Sequence, residues 1–164
     1  MKKTLIALAL IGIGSTTSAY ADSLLYGGVS VGRSSLGSED ATSYSAHVGT
    51  GILPFIGVEG GYTNHGNFSF ANGDVSADSW YAALKPSINI GPVQLYAKGG
   101  AHYWDLKSDN NPDYKNDNGT DFMYGVGADY EIFGPLTLGA NYTNYNLAGR
   151  HVDSFNLTLS LNFL

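Results

Sequence analysis

Residues 152–163 alternate without a break, with Phe155, Leu157, Leu159, Leu161 and Phe163 on one parity and Ser154, Asn156, Thr158, Ser160 and Asn162 on the other. A period of two is the mark of a β-strand whose two faces meet different surroundings. In a soluble protein the polar face meets water and carries charge. Here it is small and neutral, and only 13% of the whole chain is charged, about half the quarter usual in soluble domains. An apolar face turned out to lipid, with a small polar face turned into a narrow lumen, satisfies both observations. A soluble sandwich or lipocalin-like barrel would expose the small polar set and gain a poor surface.

The same theme recurs in eight segments, at 24–33, 43–53, 56–64, 80–90, 93–104, 122–133, 136–145 and 152–163. Short turns at 53–55, 91–92 and 134–135 alternate with longer polar stretches at 34–42, 65–79, 105–121 and 146–151. The expected fold is therefore all-β: an eight-stranded antiparallel up-and-down transmembrane β-barrel with short periplasmic turns and longer extracellular loops. Tracing the strands up and down places Tyr44, Tyr62, Trp80, Tyr103, Tyr124, Tyr142 and Phe155 outward at the loop ends. That is the aromatic girdle expected where hydrocarbon meets head groups. Phe55, Tyr130, Phe133 and Phe163 fall near the other rim. Pro86 lies inside the fourth segment and cannot donate to a ladder, so a bulge or an open hydrogen bond is expected there.

The first residues set the compartment. Lys2 and Lys3 precede a short apolar run, and Ala19-Tyr20-Ala21 supplies a small-x-small cleavage pattern. Residues 1–21 read as a cleaved secretory signal peptide and residues 22–164 as one outer-membrane barrel domain. The apolar run is too short for a spanning helix, which needs about 20 residues. The formal net charge of the whole chain is −6, and loss of the two leader lysines makes the remainder more acidic. Such a balance argues against nucleic acid as a partner. With no cysteine there is neither a disulfide nor a lipoprotein anchor.

Charges on inward positions are the informative ones. Glu59, Lys85, Lys98 and Asp129 lie at similar height, with Glu131 just below, and should pair across the lumen as an ionic layer. The alternative is a charged constriction in a narrow channel for small solutes. Eight strands leave an interior that side chains nearly fill, and Tyr81, Tyr96, His102 and Trp104 also point inward, which favours a plug. The many inward glycines instead allow water-filled pockets. His47 and His102 read as lumen hydrogen-bonders and His65 as an exposed loop residue. The recurring aspartates at 105, 109, 113, 117 and 121 read as a solvated loop, with a Ca²⁺ site as the alternative although the spacing is not that of an EF-hand. No cofactor or metal motif occurs. The only compact catalytic composition is His151, Asp153 and Ser154, and alternation sends Ser154 to the opposite face from the other two.

Over residues 22–164 the chain resembles the OmpA/OmpX-like family of small outer-membrane barrels. The resemblance is carried by the leader, by Val58-Glu59-Gly60-Gly61-Tyr62 with its inward acid, and by Val152-Asp153-Ser154-Phe155-Asn156-Leu157. It implies that the aromatic close at Phe163 signals to the barrel-assembly machinery, with periplasmic chaperones as partners during biogenesis. It also implies contact with outer-membrane lipids, lipopolysaccharide included. No peptidoglycan-binding domain follows, so a tethering role is not carried over. The sequence thus points to a non-enzymatic integral barrel acting in envelope integrity or surface interaction. A narrow channel is the second reading and a lipid-modifying enzyme the third. Acidic loops make a polyanion such as heparin a poor surface ligand.

Overall fold

The computed structural model describes residues 25–71, 73–109 and 116–163. The leader and its cleavage site lie outside the described residues, as do residues 110–115 of the aspartate-rich stretch. Eight strands follow in order: β1 (Tyr26–Leu36), β2 (Glu39–Leu53), β3 (Ile56–Phe70), β4 (Gly73–Ile90), β5 (Val93–Asp109), β6 (Asp117–Phe133), β7 (Leu136–Leu147) and β8 (Arg150–Asn162). Each pairs antiparallel with its sequence neighbours, and β1 pairs with β8, so the sheet closes on itself without an edge along most of its height. Closure is what lets strands cross lipid, where no water can satisfy a bare backbone edge.

The lower connections are the expected tight turns, with Gly91 and Gly134 at positive φ. The upper end differs from the expectation. Most of 34–42, 65–79, 105–121 and 146–151 is strand rather than loop, and the β1–β2 and β7–β8 connections shrink to two residues. At the latter, Ala148 and Gly149 both take positive φ (51° and 80°), the conformation that a two-residue hairpin requires.

These extensions have a consistent logic. Descending β4, the inward residues are Val75, Ala77, Ser79, Tyr81, Ala83, Lys85 and Ser87, all buried. The outward ones are Asp74, Ser76, Asp78, Trp80, Ala82, Leu84 and Pro86. Parity never changes, but polarity inverts at Trp80: below it apolar faces out, above it apolar faces in. Leu36, Phe68, Val75, Leu106, Met123, Leu147 and Val152 thereby form one buried apolar cluster at the top of the barrel, 8% exposed at most. This upper third is built like a soluble barrel, and the long-strand extensions follow from its core.

One bulge hides the pattern in the sequence. On β3, Asn64 pairs with Asp78 and Asn67 with Ser76, so His65 and Gly66 together face Ala77. Gly66 has φ +86°, and a Cβ there would strike the Thr42 backbone oxygen. The extra residue moves the inward parity from Thr63 and His65 to Phe68. At Pro86 the β4–β5 ladder opens: Leu84 pairs with Gly99 and Ser87 with Tyr96, with no shift of register between them. The open hydrogen bond expected there is the form the irregularity takes.

Phe68→Ala should cost about 3–5 kcal/mol, because its cavity in the apolar cap cannot collapse. Asn67→Ala, next to it on the exposed side, should stay within about 0.5 kcal/mol. Equilibrium urea unfolding of the barrel refolded into lipid vesicles measures both.

Candidate functional site: the filled lumen

The centre of the lumen is organised around Glu59 of β3. Its Oε1 lies 3.6 Å from Lys98 Nζ and its Oε2 3.8 Å from Lys85 Nζ, and Lys85 Nζ also reaches Asp129 Oδ2 at 3.5 Å. Two phenols complete the shell, Tyr81 donating to Oε1 at 2.7 Å and Tyr26 to Oε2 at 3.0 Å. Two cations and two anions leave no net charge, which is the condition for holding ions away from water. The lysines also face aromatic rings: Lys85 Nζ sits 4.6 Å from the Tyr26 centroid and 4.2 Å from that of Tyr96, and Lys98 Nζ 5.2 Å from that of Tyr81.

Register explains the arrangement. Lys85 and Lys98 face each other across β4 and β5 where the ladder opens at Pro86. Like charges at such a position repel. Glu59, diagonal to Lys85 on the neighbouring strand, places one carboxylate oxygen against each ammonium. The inward glycines accommodate the rings. A Cβ on Gly49 would strike the Tyr26 ring, and one on Gly127 the Tyr96 ring. The space that glycine frees is filled by tyrosine. A polar cavity of about 10 Å³ remains, lined by His47, Glu59, Lys98, Asn141 and Thr158 among others, which is room for about one water molecule.

Glu59, Lys85, Lys98 and Asp129 are thus brought together, but Glu131 is not. It lies exposed at the lower mouth, beside the register shift between Glu131 and Phe133. Water there solvates it more cheaply than a dry pairing would. Tyr26, central to the cluster, escaped the sequence reading, though it shares the parity of Gly28 and Ser30.

A second network sits above the first, beneath the apolar cap. His65, read from sequence as exposed, is fully buried; its ring stacks edge-on against Tyr145 at 4.6 Å. His102 Nε2 donates to the Asn146 carbonyl at 2.8 Å, leaving Nδ1 to accept from Ser79 at 3.1 Å. Ser79 then accepts from His65 Nε2 at 2.9 Å, and His65 Nδ1 faces Ser34, which contacts Ser154 at 2.6 Å. One carbonyl fixes every tautomer in the chain. Ser79 and His102 form a serine–histidine pair, but the serine is fully buried and a second imidazole occupies its other side. His151 and Asp153 face outward on β8 while Ser154 is buried in the lumen, so that trio does not assemble. Among the described residues no group of three or more acids or histidines could hold a metal.

The girdle positions Tyr44, Trp80, Tyr103, Tyr124, Tyr142 and Phe155 all stand on the outer surface, 42–64% exposed, with Tyr62 half-buried against Trp80 at 4.9 Å. Phe163 closes the lower rim, its N–H donating to the Leu25 carbonyl at 2.7 Å.

A family model described as the outer membrane protein beta-barrel domain matches residues 5–163. The chain belongs to that family. It is an integral barrel of the bacterial outer membrane. Solved structures agree in fold at low identity. The attachment invasion locus protein Ail of Yersinia pestis, in complex with the heparin analogue sucrose octasulfate, is 17% identical with a TM-score of 0.57, over 84% of this chain and 95% of that one. The N-terminal barrel of Pseudomonas aeruginosa OprF is 13% identical with a TM-score of 0.64, over 84% and 97%. The outer membrane enzyme PagL is 13% identical with a TM-score of 0.52, over 83% and 98%. No curated protein matches the chain in sequence.

Removing the hub of the ion cluster leaves both lysines without a carboxylate between them. Glu59→Ala should cost about 3–5 kcal/mol, more than Asp129→Ala, which strips one partner from Lys85 alone. Glu131→Ala should stay within about 0.5 kcal/mol. Urea titration of the three variants in one lipid ranks them.

Proposed function

We propose that this barrel is a closed, non-catalytic envelope protein whose lumen is a structural core rather than a pathway. The observation that carries this reading is the double seal: a neutral ion cluster at mid-height and an apolar cap above it. An ion entering from outside would have to part Phe68, Val75, Met123 and Val152 before reaching the charged layer. Its working surfaces are then the outer wall, toward outer-membrane lipids including lipopolysaccharide, and the acidic upper rim. Phe163 would serve recognition by the assembly machinery during biogenesis, when periplasmic chaperones hold the unfolded chain.

The channel reading predicts a continuous polar lumen, and the buried apolar cap above the ion cluster favours the plug over it. The enzyme reading takes some weight from the likeness to PagL, a likeness of fold alone. Against it, Ser79 has no open space beside its hydroxyl, and Ser154 bonds inside the lumen, away from His151.

Single-channel recording of the refolded protein in a planar bilayer tests the proposal. Wild type should be silent, and Lys98→Ala should show unstable openings; steady small conductance in wild type would overturn the plug. Overexpression should leave the mass of lipid A unchanged. A shifted mass that disappears in His151→Ala would establish catalysis instead.

A further inference from the structure

Above the aromatic level the barrel wall divides. The β2–β3 ladder ends at Tyr44 and Asn64, and the β6–β7 ladder at Met123 and Tyr145, while the remaining seams run on toward the tips. The top is therefore two flaps, β3–β4–β5–β6 and β7–β8–β1–β2, and among the described residues no ladder joins them at this height. Side chains hold them together. Phe68, Val75 and Met123 of the first flap share the apolar cap with Leu36, Leu147 and Val152 of the second.

Beneath the cap, two imidazoles tie the flaps. His102 donates to the Asn146 carbonyl of β7, and His65 faces Ser34 of β1. Both rings converge on the Ser79 hydroxyl, at 2.9 and 3.1 Å, and both stand edge-on to Tyr145 of the opposite flap, at 4.6 and 5.2 Å. All four of these side chains are at most 2% exposed. The bonding requires both rings to be neutral, because Ser79 gives its one proton to His102 and accepts from His65.

The surroundings of the rings differ. His102 is faced by Ser79 and Tyr81 from β4, by Tyr145 and the Asn146 carbonyl from β7, and by Asp121, opposite it in register, from β6. His65 is faced by Ser34 of β1, with Ser154 of β8 behind it, by Ser79 of β4 and by Tyr145 of β7. Its titratable neighbours are that phenol and, across Ser79, His102; no carboxylate is among them.

We propose that His65 and His102 form a proton-operated latch: neutral, they hold the flaps shut, and protonated, they let the flaps part and admit water to the cap. A proton on His65 would leave a cation among hydroxyls and under hydrocarbon, the costliest way to bury a charge. A proton on His102 turns the acceptor for Ser79 into a donor and sets a second cation beside the first. Parting the flaps hydrates both rings. An imidazole in water takes its proton near about pH 6.5. At about pH 5, each histidine that must be neutral for closure then favours the open form about thirtyfold. The latch is shut above that range and released as pH falls through it. Release opens the cap and leaves the ion cluster in place, so the bilayer recording at neutral pH and the following test fail separately.

Met123 is the one methionine among the described residues and is fully buried in the cap, so its ¹³C-methyl resonance reports entry of water there. The refolded barrel in phosphatidylcholine nanodiscs is compared at about pH 7.5 and about pH 5 with a neutral, water-soluble gadolinium chelate present. Broadening of the Met123 methyl should rise about tenfold in acid and reverse on neutralisation, while the Val58 and Ala97 amides at mid-barrel stay protected from exchange. His65→Gln keeps a donor toward Ser79 but takes up no proton, and should lose most of that rise. Asp121→Asn removes the carboxylate that answers His102, and should release the latch at a higher pH. The proposal fails if Met123 stays shielded in acid, if His65→Gln opens as far as wild type, if Asp121→Asn opens only at lower pH, or if the mid-barrel amides lose protection together with the cap.

Discussion

A carboxylate held between two ammonium groups is the interaction on which this barrel turns. Eight strands enclose a lumen too narrow for bulk water, so any charge inside must be answered by the protein itself. Glu59 answers both lysines, one oxygen each, and the phenols of Tyr26 and Tyr81 complete its coordination. The rest of the middle layer follows from that need. Rings wall the ions in, glycines on the facing strands leave space for the rings, and the β4–β5 ladder opens where the two lysines confront each other. Stability at this level is conditional: the cluster holds while all its members are present, and each deletion leaves a charge stranded.

Above the cluster the requirement changes from balancing charge to excluding water. The chain meets it with an apolar core set inside the same strands that, lower down, carry apolar residues outside. Between the two regimes lies a layer of serines and histidines whose hydrogen bonds run in one direction, ending on the Asn146 carbonyl. This intermediate layer is polar yet neutral, compatible with the ions beneath and the hydrocarbon side chains above. The lumen is thus packed in three ways in series, ionic, polar and apolar.

Much of this was legible in the sequence. The outward set and the mid-lumen charges Glu59, Lys85, Lys98 and Asp129 could be read because alternation stays in phase through the middle of every strand. The upper third reads as loop in the sequence, for two physical reasons. Polarity inverts above Trp80, so Asp74, Ser76 and Asp78 resemble a solvated connection when they are the outer face of a strand. On β3 the Gly66 bulge also slips the phase, which disguised both His65 and Phe68 as irregular residues. Glu131 failed differently: parity alone cannot tell a dry lumen from its open mouth.

The inversion at the aromatic level also fixes how deep the protein can sit. Displacement by one residue pair along a strand is about 7 Å. Sinking that far would carry Asp78 and Asp153 toward hydrocarbon, while rising would lift Ala82 and Leu157 into the head groups. Both directions are opposed by transfer free energy that grows with depth. The wall of this barrel thus encodes a vertical coordinate, and a membrane of different thickness would have to deform around it rather than shift it.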